Sequence, residues 1–581
     1  MYICMKINGA RYLVEALKKE NVDVIFAYPG SCVMPIFDAL YTEPDIKLIL
    51  PRHEQGLVHA ADGYARSTGK VGVCIVTSGP GATNTITGLA TANYDSVPLI
   101  CITGQVSRNL IGNDAFQEVD TVGLTRSVAK HNYIVHDRKE LGRIIKEAFV
   151  IATTGRPGPV VIDFPVDISR EVGDDYYPES IQIRGYNPII KGHQIQVKKA
   201  VKMLMKAKKP LFLIGGGVII SNASESFLEL VNKTGIPVIS TIMGKGAIPC
   251  THPKYAGMVG MHGTYASNKA VMECDLLFSI GTRFNDRITG VVSRFAPNAE
   301  IVHIDIEPAS ISRNVNVDVP IVGDAKVVID EIIPMVEKAH IAPWVQQIDA
   351  WKNEHTAKVV PGKVRLSPME VLRNINDTFP EAIITTDVGQ HQMWTAQFCK
   401  FLKPRTFLTS GGLGTMGYGF PAALGAQIGN RDKKVISISG DGSVQMNIQE
   451  LATAVQQELP IIIAVFNNGY LGLVRQWQSL FYDKNYSGTC LRRTRSCPQE
   501  CNTNGDHCPP YTPDFIKLAE AYGAIGIRVT KNEEILPALK KAGESKKVPV
   551  LIEFMIECEY NVMPMVPSGS ALDEMILEVE N

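Results

Sequence analysis

Two apolar runs near the end of the chain stop on residues that do not belong inside strands. Val435 to Ser439 is apolar and alternating and runs into Gly440-Asp441-Gly442; Ile461 to Phe466 is continuously apolar and runs into Asn467-Asn468. The first reads as a strand, the second as a strand buried on both faces. Between them Ile448, Leu451, Ala452 and Val455 recur at helical spacing, and Asn447 with Glu450 has the form of a capping box, so a helix is expected over Asn447 to Gln457. Strand, helix and strand of this length make a βαβ unit, whose crossover is right-handed and whose strands are therefore parallel. Asp441 and Asn468 then sit just past the carboxyl ends of two strands in one sheet, where open α/β sheets bind ligands.

The chemistry of these positions narrows the ligand. A carboxylate and an amide oxygen are hard donors that suit Mg²⁺, which usually takes water and phosphate oxygens as its other ligands. Gly440 and Gly442 let the backbone approach closely and present N–H groups to an anion. The stretch reads as one half of a Mg²⁺–diphosphate site.

The same alternation recurs along the chain, and 581 residues exceed a single core. Residues 1–180 carry the strand-like runs "VDVIFAYPG", "IKLILPRHE", "VGVCIVTSGPG", "VPLICITGQ" and "GPVVIDFPVD". Residues 190–340 repeat the pattern with "KPLFLIGGGV", "IPVISTIMGKG", "DLLFSIGTRF", "AEIVHIDIEP" and "VPIVGDA". Residues 366–555 repeat it with "AIITTDVGQHQ", "KVISISGDG", "PIIIAVFNNG" and "PVLIEFM". Each is read as a doubly wound parallel α/β sheet. The polar "EVGDDYYPESIQIRGYNP" and residues 341–365 read as linkers, and 556–581 as an irregular lid or tail. A net charge of −1 gives no general attraction to nucleic acid or anionic membrane. No 18-residue apolar run is present, and "MYICMKINGARYLVEALKKE" lacks a signal-peptide layout, so a cytoplasmic location is expected.

Several motifs together resemble the thiamine diphosphate (ThDP) enzymes, and within them the catalytic subunits of the acetohydroxyacid (acetolactate) synthase family. They are "PRHEQGLVHAADGYARSTGK", "TSGPGATNTITGLATANYDSVPLICITGQV", "GNDAFQE", "GTRFNDRITG", "DVGQHQMW", "GGLGTMGYGFPAALGA" and "RQWQ". The resemblance implies a pyrimidine-binding domain over 1–180, a central domain over 190–340 and a diphosphate-binding domain over 366–555. It assigns Glu54 to N1′ of the cofactor pyrimidine, where a carboxylate favours the imino tautomer that takes the proton from the thiazolium carbon. Asp441, Asn468 and the backbone near Tyr470 would ligate Mg²⁺. Gly389, Gln390, His391, Gly414, Gly440 and Gly442 would contact the cofactor, with Met416 and Leu473 as its apolar support. Phe116 and Gln117 would stand over the reacting carbon. Arg287 would meet the carboxylate of the second 2-oxo acid, a task that suits a guanidinium. Trp477 would favour 2-oxobutyrate over pyruvate as acceptor. Arg156, Gly215, Gly216, Gly217 and His262 would belong to an FAD site with a structural role. The activity implied is decarboxylation of pyruvate and transfer of the two-carbon unit to a second 2-oxo acid in branched-chain amino-acid biosynthesis; another ThDP carboligase or decarboxylase, or a pyruvate oxidase, is the alternative. The resemblance also implies a homodimer or homotetramer, with Glu54 and Asp441 of one site coming from different chains, and a small regulatory subunit.

Two departures stand out. Ser31, Ser107 and Val166 replace the glycine, proline and lysine common in that family. A cysteine-rich insertion spans 488–510, and Cys490, Cys497, Cys501 and Cys508 there are read as a Zn or Fe–S staple. The eight other cysteines read as buried thiols.

Overall fold

The computed structural model describes residues 6–355, 362, 365–495, 497 and 513–578. The first unit opens with a short strand β1 (Ile7–Asn8), then β2 (Val24–Ala27), β3 (Lys47–Ile49), β4 (Gly72–Val76), β5 (Leu99–Gln105), β6 (His131–Ile134), β7 (Pro159–Pro165) and β8 (Val172–Gly173). The second holds β9 (Pro210–Ile214), β10 (Val238–Ser240), β11 (Tyr255–Met258), β12 (Leu276–Ile280), β13 (Glu300–Asp305) and β14 (Val319–Val322). The third holds β15 (Ile383–Thr386), β16 (Phe407–Thr409), β17 (Val435–Gly440), β18 (Ile462–Asn467), β19 (Ile525–Val529) and β20 (Val550–Met555). Each unit is a six-stranded, wholly parallel sheet, and β1 and β8 form a separate antiparallel ribbon.

The first sheet runs β3-β2-β4-β5-β7-β6 and the third β16-β15-β17-β18-β20-β19. Counted in chain order these are the same topology, with the strand order reversing between the first and third strands. The middle sheet runs β11-β10-β9-β12-β13-β14 and reverses between β9 and β12, the arrangement of dinucleotide-binding sheets. The expected three doubly wound units are present. The reversals fall where Gly30, Gly215 and Gly389 follow their strands.

The first and third units share a core. Helix Glu54–Thr68 is buried nearly all round, as is helix Gly419–Gly429 with ten of its eleven residues buried. Such helices lack a polar face because both sides are packed. Their small residues let the backbones touch: a Cβ on Gly63 would overlap the Ala422 carbonyl, and one on Gly425 the Ala60 carbonyl. Leu57, Val58 and Ala61 therefore lie in one apolar cluster with Phe420, Leu424 and Leu451.

Three readings of the sequence need correction. The helix expected from Asn447 begins at Leu451 (Leu451–Gln456); Gln445–Glu450 is a 3₁₀ turn with Asn447 at φ −137°, ψ 32°. Asn447 spends its amide on the Gly417 carbonyl at 2.7 Å, and Glu450 faces another domain, so no capping box forms. The stretch read as a second linker contains helix Ala342–Glu354, whose Trp344, Ile348 and Trp351 are buried in the middle core. The segment after Glu557 is irregular as expected, but it is a strap: Val562 donates to Gln476 at 2.8 Å, and Val566 and Leu572 enter the middle core.

Candidate active site

At the β15/β17 reversal the chain turns twice beside one buried histidine. Gly389 follows β15 at φ +152°, a conformation that L side chains rarely adopt, and caps helix Gln390–Phe398. A Cβ there would lie 2.9 Å from the His391 ring, and a Cβ on Gly440 3.0 Å from His391 Nδ1. His391 is buried, and burial lowers its pKa to about 3, so it is a neutral imidazole. Its Nε2 has no hydrogen-bond partner among the described residues. A buried polar atom of this kind marks a place for a group from outside the chain. Nearby Asp387 accepts from Val388 N at 2.9 Å, Gly417 N at 2.8 Å and Gly419 N at 3.2 Å, and so holds the loop that carries Met416.

Asp441, just past β17, reaches the loop after β18 that carries Asn468. Asp441 Oδ2 accepts from Gly469 N at 2.8 Å, and Asn468 Oδ1 accepts from Tyr470 N at 3.0 Å. Both are buried, and burial raises the Asp441 carboxyl to about 7. A cation at that carboxylate would remove the penalty, and this donor set suits a hard one. Gly442 is bare because a Cβ would press on Leu471. Gln390 differs from expectation: its Nε2 donates to Gln476 and to the Tyr560 carbonyl, both at 3.0 Å, which makes it a support for the strap as well as a wall of the site. Tyr470 and Cys490 form an isolated antiparallel bridge, and Arg492 donates to Asn467 Oδ1 at 3.2 Å. The start of the insertion therefore seats against the Asn467–Tyr470 loop.

A second place is a cavity of about 740 Å³ between the middle sheet and its neighbours. Arg156, Gly215, Gly216, Gly217, His262 and Arg287 line it, together with Gly414, Leu473 and Trp477. The glycines are forced by the sheet: a Cβ on Gly215 would overlap the Gly281 carbonyl, and one on Gly217 would come within 2.6 Å of the Gly281 Cα. Arg156 donates to Ser96 Oγ at 2.9 Å and to the Asn93 carbonyl at 2.8 Å. His262 is buried, lies 3.3 Å from the Pro564 carbonyl, and has its pKa lowered by burial to about 4. Arg287 is half exposed, with Asp286 at 3.7 Å. Size and glycine-lined entry suit a dinucleotide.

A third group lies on the first unit. Glu54 opens its helix and accepts from Asn84 Nδ2 at 3.0 Å. Gln117 has φ +61°, Gly79 is packed against it, and Phe116 is 86% exposed. Gln105 ties the loop down by donating to the Val119 carbonyl at 2.9 Å and to Asp163 at 3.0 Å. Within this chain no hydrogen bond or ion pair joins Glu54, Phe116 or Gln117 to Asp441 or Asn468 among the described residues. The three substituted positions converge here: Val166 packs with Cys32 and Val106, the neighbours of Ser31 and Ser107.

The proposed cysteine staple is only partly described. Cys490 and Cys497 are free thiols, and Cys501 and Cys508 lie outside the described residues. Among the described residues no cluster of three or more His, Cys, Asp or Glu side chains could hold a metal ion. Sequence reasoning also missed Asp387, Glu450 and Gln476, whose roles depend on partners distant in the chain.

Comparison with known proteins supplies an independent line. The chain matches the N-terminal TPP binding domain of thiamine pyrophosphate enzymes over residues 7–124, their central domain over 197–332 and their C-terminal TPP binding domain over 387–554. It is 45% identical to the probable acetolactate synthase large subunit of Methanococcus aeolicus over 99% of this chain and 96% of that protein. It is 46% identical to the acetolactate synthase large subunit of Corynebacterium glutamicum over 97% of this chain and 89% of that protein. It is 43% identical to the acetolactate synthase isozyme 3 large subunit of Escherichia coli K12, over 98% of both.

Proposed function

This chain belongs to the acetolactate synthase family of thiamine pyrophosphate enzymes, and we propose that Glu54, Asp441 and Asn468 are the residues through which it works. The protein is the catalytic subunit of an acetolactate synthase. It decarboxylates pyruvate and joins the two-carbon unit to a second 2-oxo acid, which gives 2-acetolactate or 2-aceto-2-hydroxybutyrate for branched-chain amino-acid synthesis. ThDP, when bound, supplies an acidic thiazolium carbon and an electron sink.

The residues divide that work. Asp441, Asn468 and the Tyr470 carbonyl would hold Mg²⁺, and the free Nε2 of His391 with the bare backbone at Gly389, Gly440 and Gly442 would hold the diphosphate. The observation that carries this reading is the place of that unpartnered nitrogen, Asp441 and Asn468 just past the ends of the adjacent strands β15, β17 and β18. Gly414, Met416 and Leu473 would bound the ring system. Glu54 would hold a proton at N1′ of the pyrimidine and favour its imino form. Phe116 and Gln117 would shield the reacting carbon from water, Arg287 would pair with the acceptor's carboxylate, and Trp477 would set acceptor size. The cavity at Arg156, Gly215–Gly217 and His262 would take FAD as a structural group. The exposure of Phe116, and the lack of a hydrogen bond or ion pair between Glu54 and Asp441 among the described residues of one chain, favour a homodimer in which each site draws on both subunits. The relatives' designation as large subunits favours a smaller regulatory partner. The domain divisions at 1–180, 190–340 and 366–555 follow from the same reading.

The test is 2-acetolactate formed from pyruvate, with ThDP and Mg²⁺ omitted in turn. Formation that needs all three components is expected. Pyruvate consumption without 2-acetolactate would overturn the acceptor assignment, and purified protein without flavin would overturn the FAD assignment.

A further inference from the structure

The turn that delivers Glu54 is held from two domains: within its own, His53 caps the helix by accepting from Gln55 N at 3.1 Å, and other backbone groups of the turn are met from elsewhere. Residues Leu50 to His53 lead from β3 into helix Glu54–Thr68, and their polar groups are met by one face of segment 450–456 in the third domain. Glu450 Oε1 accepts from Arg52 N at 2.9 Å and from His53 N at 3.2 Å. Its Oε2 accepts from Thr453 Oγ1 at 2.7 Å, and Thr453 also lies 3.4 Å from the Leu50 carbonyl. Gln456 accepts from the Arg52 side chain at 2.8 Å. Glu450, Thr453 and Gln456 are spaced by three, so they share one side of a helical turn.

Glu450 is fully buried, and every neighbour donates to it, which is the environment of an acceptor-only carboxylate. Gly56 makes room for it: a Cβ there would lie 2.8 Å from Glu450 Oε1. Burial raises its pKa to about 7, so the arrangement is held against the preference of the isolated group. The two N–H groups it fixes belong to the residues immediately before Glu54. His53, the N-cap residue, is also among the donors at the start of a helix that no intrahelical carbonyl can satisfy.

We propose that Glu450 is the positioning residue for Glu54: from the diphosphate-binding domain it fixes the backbone turn that aims the relay carboxylate. Glu450 lies nine residues after Asp441 on the same connection between β17 and β18. In the dimer favoured above, Asp441 serves the site of its own chain while Glu54 serves the partner's. Glu450 then joins the metal-binding segment of one site to the proton relay of the other. The inference rests on the role of Glu54 given under Proposed function.

The test uses the full-length protein. Backbone hydrogen exchange at Arg52 and His53 is measured without cofactor for wild type, Glu450→Gln and Glu450→Ala, and kcat and KM for pyruvate are measured with ThDP and Mg²⁺. Glutamine keeps an acceptor oxygen for both amides; alanine leaves them unpaired. In Glu450→Ala, exchange at 52–53 is expected to rise, and kcat to fall, by at least about tenfold, with KM within about twofold. Glu450→Gln is expected to restore most of both. On a Glu54→Gln background, where turnover is nearly lost, Glu450→Ala is expected to cost nothing further, because both changes act through one group. Unchanged exchange, an undiminished kcat or a loss that adds in full to that of Glu54→Gln would overturn the inference while leaving the Glu54 role intact. Wild-type turnover by Glu54→Gln itself would overturn the role of Glu54 and this inference with it. If Glu450→Ala does not fold, Glu450→Asp, which keeps the charge but withdraws the oxygens by one methylene, carries the same expectations.

Discussion

Gly63→Ala puts one methyl group where two helices touch. Gly63 lies mid-way along helix Glu54–Thr68, and an added Cβ would stand 2.6 Å from the Ala422 Cα and overlap the Ala422 carbonyl. Ordinary carbon contacts lie at about 3.5–4.0 Å, so the helices would have to part by about 1 Å. Neither side can yield by a rotamer change, because both atoms are backbone, and the shared core of the first and third domains would open along the crossing. Overpacking of this kind costs about 1–3 kcal/mol, and the absence of a movable neighbour places it at the upper end. The gain in helix propensity on replacing glycine with alanine offsets about 1 kcal/mol. A net loss of about 2 kcal/mol lowers the melting temperature of a unit of this size by about 4–8 °C. Differential scanning calorimetry at a fixed scan rate reads it. Gly543→Ala is the control: it has the same propensity gain, but the new methyl meets only the Phe379 ring edge at 3.1 Å. A Gly63→Ala protein that melts with or above wild type would refute the view that backbone contact at this crossing fixes the domain arrangement.

Two further outcomes follow. The Glu450 carboxyl has a pKa of about 7 in the folded chain against an ordinary 4.5, so the fold binds this proton more tightly than the unfolded chain does. Its contribution is full below about 4.5 and is lost as pH rises through about 7, so the melting temperature of wild type relative to Glu450→Gln should fall across that window; a difference that rises with pH contradicts the burial argument. Trp477 lines the cavity with Leu473 and Arg287. Trp477→Leu should lower the ratio of 2-aceto-2-hydroxybutyrate to 2-acetolactate when both 2-oxo acids compete, and an unchanged ratio removes Trp477 from acceptor selection.

The legible parts of the fold were those buried on two faces. β5, β7, β17, β18 and β20 are fully buried, and their apolar runs, continuous in β18 and alternating in β17, read as strands. The strands of the three six-stranded sheets that escaped, β6, β11, β16 and β19, are all at sheet edges, where one side meets solvent or a loop and the pattern is diluted, as in "HNYI" and "IGIRV". Helix Ala342–Glu354 carried a usable signal in the spacing of Trp344, Ile348 and Trp351, masked by its polar neighbours. At the site, Asp441 and Asn468 were legible because glycine and asparagine interrupt apolar runs at strand ends. Glu450 was misread because its local neighbour Asn447 offered a plausible cap, while its true partners lie 397 and 398 residues away. Asp387 was silent for the same reason: its acceptors' partners, Gly417 and Gly419, are thirty and thirty-two residues on.

The shared site proposed above takes Glu54 from one subunit and Asp441 from the other. Co-expression of Glu54→Gln and Asp441→Asn chains, with 2-acetolactate formation as the readout, tests it most directly. Each variant alone should be nearly inactive. Random pairing makes half the dimers mixed, and each mixed dimer has one site with both native residues, so about one quarter of wild-type activity should return. Substantial activity in either parent would contradict the roles given to these residues, and a mixture as inactive as its parents would contradict the shared site.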